Sequence, residues 1–369
     1  MKKQLITGMV ILLAALNGNA QELRATGLLE SDEKLNAMSM VEKPLGFGAN
    51  LPSSYSLEKY VASIGDQGQE GTCVGWATTY YAASIAYNVL ATKNGFPTTN
   101  QWHYDPIYTY ENIKEKNDKT CGEGSYIEDA LVLLIEKGAK RKELDPARCG
   151  NVPSWFSSGM TLLNVKDAFY LYKKTDSRNA KIEAVCQMLS ENKPVVIGMN
   201  LPKSFHFIGR DGEFKPAANE AASGGHAMCV VGYDDKKFGG AFRIVNSWGS
   251  SWGDNGSCWV KYDDFVKYVT MSYYFEYELG SSGTSGCIYG DCQSNYSVQL
   301  IAGKKGTQGV YEGIFSGGKM TKGIYYNNAK LGGKGGVGFM KKTVKKAGYG
   351  ARLLYDGSDF KKPIGFILL

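Results

Sequence analysis

The run Asn246-Ser247-Trp248-Gly249-Ser250-Ser251-Trp252-Gly253-Asp254-Asn255-Gly256 is the most specific stretch of this chain. It closes an apolar segment, Ala241 to Asn246, that reads as a β-strand ending in a Gly- and Asp-rich turn. An Asn at that point can accept a ring N–H through its amide oxygen and fix the tautomer of a histidine. Three further stretches complete the pattern. They are Gln67-Gly68, Gly71-Thr72-Cys73-Val74-Gly75-Trp76-Ala77 and Gly224-Gly225-His226-Ala227-Met228. Brought together, they supply a nucleophile, a base, a residue to orient the base and an oxyanion donor, as acyl transfer by a thiol requires.

Each residue type suits its place. Cys73 opens a helix whose apolar face runs through Trp76, Ala77, Tyr80, Ala83, Ile85 and Leu90. The positive end of a helix dipole favours thiolate over thiol. Gly71 and Thr72 leave its approach uncrowded. His226 is one of three histidines, with His103 and His206. Two glycines precede it and let a substrate backbone come close. Paired with Cys73, it would hold a thiolate–imidazolium pair and return the proton to a leaving amine. His206, in Ser204-Phe205-His206-Phe207, carries no motif but could lie near the same cleft. Asn246 is an uncharged orienter, which suits a thiol because the thiolate itself stabilises the imidazolium. Gln67 lies six residues ahead of Cys73, and its side-chain N–H with the backbone N–H of Cys73 would face a developing oxyanion. Gln69 sits at the wrong offset.

These residues resemble the papain-like cysteine proteases, and specifically the bacterial branch, over roughly residues 51 to 279. The resemblance implies an α+β, two-lobed fold: a helical left lobe, a β-barrel-like right lobe and an active-site cleft between them. It implies that Trp248 covers the Asn246–His226 bond, and that peptide bonds are cleaved through a thioester on Cys73. Two positions depart from the plant and lysosomal pattern. Glu70 stands where those enzymes have a disulfide cysteine, and Val74 follows the nucleophile where they have Trp. Neither removes a catalytic role, but both weaken any transfer of disulfide layout or substrate preference.

The coarse pattern agrees with helices first and strands second. Ser125 to Lys137 and Lys181 to Glu191 repeat apolar residues at helical spacing, whereas Pro194 to Met199, Ala227 to Tyr233 and Ser257 to Tyr262 read as strands. The 369 residues divide into a signal peptide at 1–20, a short leader at 21–50, the peptidase region at 51–279 and a Gly-, Lys- and Tyr-rich region at 280–369. Lys2, Lys3, the apolar run Leu5 to Leu16 and Gly18-Asn19-Ala20 form the signal, cut near Ala20, so export is expected. The leader looks shorter than the folded inhibitory segment many relatives carry.

Eight cysteines in an exported chain raise the question of disulfides. Cys287 with Cys292 and Cys121 with Cys149 are the candidate pairs. Cys186 and Cys229 read as buried thiols, and Cys258 has no evident partner.

Charge is uneven. From Gln293 onward, twelve lysines and one arginine face three acidic residues, a balance of +10, so the rest of the +6 chain carries −4. Tyr311 to Tyr326 resembles one MORN repeat, and Cys287 to Cys292 resembles the lead-in to such arrays. Gly336-Val337-Gly338-Phe339 and Tyr355-Asp356-Gly357 are weaker echoes. This implies a small C-terminal all-β module; its basic balance suits an anionic surface. A peptide or protein substrate and a monomer are expected. No nucleic-acid motif, metal-ligand spacing or cofactor motif is present. The rival functions are transpeptidation or amide hydrolysis on the same triad, or a catalytically silent binding protein.

Overall fold

A computed structural model describes residues 23–40, 51–93, 103–140, 148–151, 163–218 and 220–279, and, further on, 287–289, 294–302, 308–327, 351–356 and 359–368. The expected signal peptide and the Gly336 to Phe339 echo lie outside the described residues. None of the described helices is long and apolar enough to cross a membrane.

The chain first forms a short helix, α1 (Asp32–Ala37), whose N-cap Ser31 accepts the Lys34 N–H and whose first turn is acidic. Strands β1 (Ser39–Met40) and β2 (Ser54–Ser56) follow. The expected central helix then starts at Cys73. It runs without a break through α2 (Cys73–Gly75), a π-helical stretch (Trp76–Ala83) and α3 (Ser84–Lys93). Every residue of the π-helical stretch is buried. The reason is placement: α4 (Pro106–Ile113) and α5 (Ile127–Glu136) pack on one side of it and strands on the other. Gly75 permits the approach of α4, since a Cβ there would lie 2.3 Å from the Pro106 carbonyl oxygen.

The second half is a sheet with two helices. Its elements are β3 (Leu163–Tyr170), α6 (Arg178–Ser190), β4 (Val195–Pro202), β5 (Ala222–Asp234), β6 (Ala241–Val245), β7 (Ser257–Lys261), α7 (Tyr262–Tyr268) and β8 (Val269–Leu279). The strand order is β1-β3-β8-β4-β5-β6-β7, with β2 paired to β5. The architecture is α+β, as expected. The β5–β6 register pairs Cys229 with Val245. His226 and Asn246 therefore emerge at the same end of two adjacent strands.

Cys121 and Cys149 are joined by a disulfide. Cys73, Cys186, Cys229 and Cys258 are free and buried. Cys292 lies outside the described residues, so the second candidate pair has no structural account.

A separate antiparallel sheet is built from β9 (Cys287–Tyr289), β10 (Ser294–Ala302), β11 (Gln308–Ser316), β12 (Lys319–Asn327), β13 (Ala351–Asp356) and β14 (Asp359–Leu368). Its order is β13-β14-β12-β11-β10-β9. β11 and β12 join through Gly317 and Gly318, both at positive φ, in a two-residue hairpin turn. The Tyr311 to Tyr326 stretch falls on this hairpin.

Candidate active site

Cys73 stands at the first turn of the central helix, with Thr72 at the N-cap. Trp76 secures that turn: its backbone N–H reaches the Thr72 carbonyl at 3.3 Å, and its indole N–H reaches the Thr72 hydroxyl at 3.2 Å. The thiol lies against the backbone N–H groups of Ala227 and Gly27. The nucleophile candidate therefore abuts the residue directly after His226.

His226 sits on β5 opposite Met199 of β4. Its Nε2 is 2.8 Å from Asn246 Oδ1. The same Oδ1 accepts the Ser247 backbone N–H at 2.8 Å, which identifies it as the oxygen. An amide oxygen only accepts, so in the neutral ring Nε2 carries the hydrogen and Nδ1 keeps its lone pair. Nδ1 makes no hydrogen bond. Trp248 stacks on the imidazole with centroids 4.6 Å apart.

Gln67 joins this group through β6's continuation. Its backbone N–H donates to the Ser247 carbonyl at 2.9 Å, and its Oε1 accepts the Ser247 hydroxyl at 2.6 Å. That pairing turns Nε2 toward the groove, where it donates to the Glu70 carbonyl at 2.8 Å. Gln67, Cys73, His226, Asn246 and Trp248 are thus gathered in one place. Ser247 and Tyr81 were not legible as members. The Tyr81 hydroxyl donates to the Asn246 carbonyl at 2.8 Å and accepts the Gly65 N–H at 3.0 Å, tying the helix to the strand end. Ser247 lies inside the Asn-Ser-Trp run, which is the one signal that pointed to it. Tyr81 carried no signal beyond an apolar helical position.

The sequence pattern described as papain family cysteine protease matches residues 51–275. The chain belongs to the papain family of cysteine proteases. It is 26% identical over 199 residues to an uncharacterized peptidase C1-like protein of Acanthamoeba polyphaga mimivirus, covering 52% of this chain and 61% of that protein. It is 25% identical over 210 residues to vignain of Vigna mungo, covering 56% of this chain and 53% of vignain. The matched stretch thus spans less than two thirds of either relative. Among solved structures, xylellain, a cysteine protease from Xylella fastidiosa, aligns with a TM-score of 0.52 at 19% identity, over 69% of this chain and 98% of that one. A procathepsin B from Trypanosoma congolense aligns at 0.51 with 16% identity, over 69% and 87% of the two chains. These likenesses establish the fold.

In this papain-family groove the catalytic candidates are covered by the chain's own N-terminal segment. The Ala25 carbonyl accepts hydrogen bonds from Gln67 Nε2 at 3.3 Å and from the Trp248 indole N–H at 3.2 Å. The N–H groups of Gly27 and Leu28 both reach the Gly225 carbonyl, at 3.3 and 3.1 Å. On the opposite wall, Ser125 N–H donates to the Gly27 carbonyl and Leu29 N–H donates to the Ser125 carbonyl. The segment is therefore stitched to both walls. Leu28 is buried; a Cβ added to Gly198 would meet both its Cδ2 and the Met271 side chain. Gly27 passes so close to Gly71 that a Cβ on it would lie 2.1 Å from the Gly71 carbonyl oxygen. Farther along, the Thr270 hydroxyl donates to Glu30 at 2.6 Å, and Lys34 pairs with Asp129 at 2.6 Å.

This cover sets the electrostatics. Burial pushes the Cys73 thiol up to about 12, although the nearby N–H groups pull it down. Burial pushes the His226 imidazole down to about 4, against the opposing effect of its bond to Asn246. Desolvation penalises the charged form of each group. Burial therefore works against the expected thiolate–imidazolium pair while the groove is covered.

Among the described residues, one cluster has metal-ligand composition: Glu111, Cys121 and Cys149. Its two sulfurs are bonded to each other, and a disulfide sulfur is not a thiolate ligand.

Proposed function

We propose that this chain is a cysteine endopeptidase made in a latent form, with Cys73 as nucleophile and residues 23–30 closing the groove until they are displaced. The observation that best supports this reading is that the groove already holds a polypeptide. The backbone of Ala25 to Leu29 engages Gln67, Trp248, Gly225 and Ser125 by main-chain hydrogen bonds. A groove that binds extended main chain from both walls suits a peptide better than a small amide.

With the segment gone, water returns and the penalties on charge relax. His226 Nδ1 then takes the Cys73 proton. The sulfur attacks the peptide carbonyl carbon, and the carbonyl π pair moves onto oxygen. Gln67 Nε2–H, now released from Ala25, and the Cys73 backbone N–H hold that oxyanion. Collapse expels the amine, which takes the proton from His226 Nδ1, and leaves a thioester. His226 then removes a proton from water as it attacks the thioester. The acid leaves and the thiol regains its proton. Asn246 Oδ1 keeps the imidazole turned throughout, and Trp248 keeps water from that bond. The pocket that holds Leu28 suits an aliphatic side chain of similar size.

A peptide panel incubated with the full chain and with Cys73→Ala tests this reading. New peptide N-termini that depend on Cys73 are expected. Ligated products alone would favour transfer, and binding without any product would favour the silent binding protein.

The same reading assigns residues 1–20 to a signal peptide, 21–50 to a removable leader, 51–279 to the peptidase domain and 280–369 to a MORN-like β module on an exported monomer, whether periplasmic, cell-surface or secreted. The Cys121–Cys149 bond is consistent with an oxidising compartment. The likeness to xylellain is consistent with the bacterial branch. The +10 tail suits an anionic surface. Retention on anionic vesicles should fall as salt rises, and salt-independent retention would argue against charge as the cause.

A further inference from the structure

His226 is not the only imidazole on Trp248. His206, in the single-turn helix Lys203–Phe207, stacks on the same indole with centroids 4.8 Å apart and planes 17° from parallel. It is buried, and its Nδ1 accepts the backbone N–H of Arg24 at 3.2 Å. That contact joins residues 182 positions apart and lies next to Ala25, whose carbonyl occupies Gln67 and Trp248. Phe205 and Trp252 hold the turn from beneath, with the Trp252 indole N–H bonded to the Phe205 carbonyl at 3.2 Å. An aromatic stack on one side and a bonded turn below fix the direction of Nδ1 without using it.

We propose that His206 is a positioning residue for polypeptide in this groove. Its Nδ1 accepts a main-chain N–H on the flank beyond Trp248, from Arg24 in the covered chain and from the departing half of the substrate once the groove is open. The inference rests on the proposed peptidase reading and adds to it a named main-chain contact and a means of release. The imidazole that would protonate the leaving amine and His206 both stack on Trp248. A departing chain that crosses the indole therefore arrives at Nδ1.

The contact depends on protonation. Nδ1 accepts only while it is unprotonated; a protonated ring offers a donor to a donor. Binding of the segment therefore favours the neutral ring, in the direction that burial already drives it. Such a group holds the segment at higher pH and lets it go as pH falls through the pKa of the covered state. The charged and titratable neighbours are few. Arg24 approaches Asp66 at 3.8 Å on the segment side. His226 stacks on Trp248 as well, and a charge on His206 disfavours a charge on it. Lys203 and Glu220 lie by Ser204 on the His206 turn. His226 titrates as well, so the test must separate the two rings.

His206→Asn places an oxygen where Nδ1 stands and cannot titrate; His206→Leu removes the acceptor. Amide hydrogen exchange of the full chain, read over residues 21–30 and corrected for intrinsic rates, gives the occupancy of the groove directly. Between pH 7.5 and 5, protection at Arg24 should fall about tenfold further in the wild type than in His206→Asn, where His226 alone still titrates. His206→Leu should lack that protection at every pH. Equal loss in wild type and His206→Asn, or full protection in His206→Leu, overturns the release device.

Steady-state cleavage tests the substrate contact. For peptides extending past the scissile bond, His206→Leu should raise KM about tenfold with kcat little changed, and His206→Asn should restore it. The effect should vanish for an ester with no chain beyond that bond. A KM defect that persists on the short ester, or that Asn fails to restore, overturns the positioning role. If no peptide is cleaved by any variant, the peptidase reading falls while the exchange data still judge His206.

Discussion

Trp248 carries two histidine rings in nearly the same stack, and the chemistry of the two differs. His226 and His206 lie 4.6 and 4.8 Å from the indole. His226 is bonded to a fixed amide oxygen that sets its tautomer and leaves Nδ1 with its lone pair and no hydrogen bond. The partner of His206 is the main-chain N–H of Arg24, in the segment that the proposed activation displaces. Packing alone would not separate a base from an anchor; the permanence of each partner does.

The largest effect that can break this comparison is loss of the base. His226→Ala should lower kcat about 10⁴-fold or more, as Cys73→Ala should, because members of such a unit fail together. His206→Asn should keep most of kcat. If the two substitutions cost equally, the distinction between base and anchor is wrong. Next comes the oxyanion donor. Gln67→Ala should lower kcat about 10²- to 10³-fold with KM nearly fixed. A change confined to KM would make Gln67 a binding residue only.

The covering segment gives a smaller effect with the opposite sign. Burial of a leucine side chain is worth roughly 1.5–3 kcal/mol, most of which Leu28→Ala removes. Thiol labelling of Cys73 in the full chain should rise about tenfold or more. An unchanged rate would mean that Leu28 does not hold the segment down.

The smallest effect is the pH response left when His206 cannot titrate. In the covered groove His226 lies at about 4, below its ordinary 6.5. A ring held neutral by burial stabilises the covered state above the ordinary value and loses that contribution as pH falls toward 4. Labelling of Cys73 in His206→Asn, relative to a denatured control at each pH, should therefore begin to rise below about pH 6.5 and go on rising to about pH 4. A rise already complete at pH 6 would show that another group governs opening.

Much of this site was legible because each part of it is a local signal. Cys73 at a helix start, His226 after two glycines and Asn246 at a strand end sit in short patterns whose meaning does not depend on distant residues. Strands β4 to β7 were legible for the same reason, as apolar runs between turn residues. The parts that escaped are made by contacts across the chain. The role of His206 arises from Trp248 and Arg24, neither of which is near it in sequence. Arg24 to Glu30 has no regular structure apart from a single bridge between Leu28 and Ser125, and its conformation is set by Gly225 and Ser125. β3 and β8 pair with each other in register, but the alternation of β3 is broken where the register shifts between Val165 and Asp167. α4 is rich in Tyr and Thr, which favour strands, and is a helix because Asp105 caps it and Pro106 opens it.

The central claim is that an intact thiol site lies under a removable segment of its own chain. Gly27→Ala in the full-length protein tests it most directly, because a methyl group there would collide with the Gly71 carbonyl oxygen while every groove residue stays native. Labelling by an epoxide thiol probe, located by peptide mapping, should fall on Cys73 and run about 100-fold faster than in the wild type, equivalent to roughly 3 kcal/mol of lost segment binding. An unchanged rate in a folded protein, or label on Cys186, Cys229 or Cys258 with Cys73 untouched, would contradict the account.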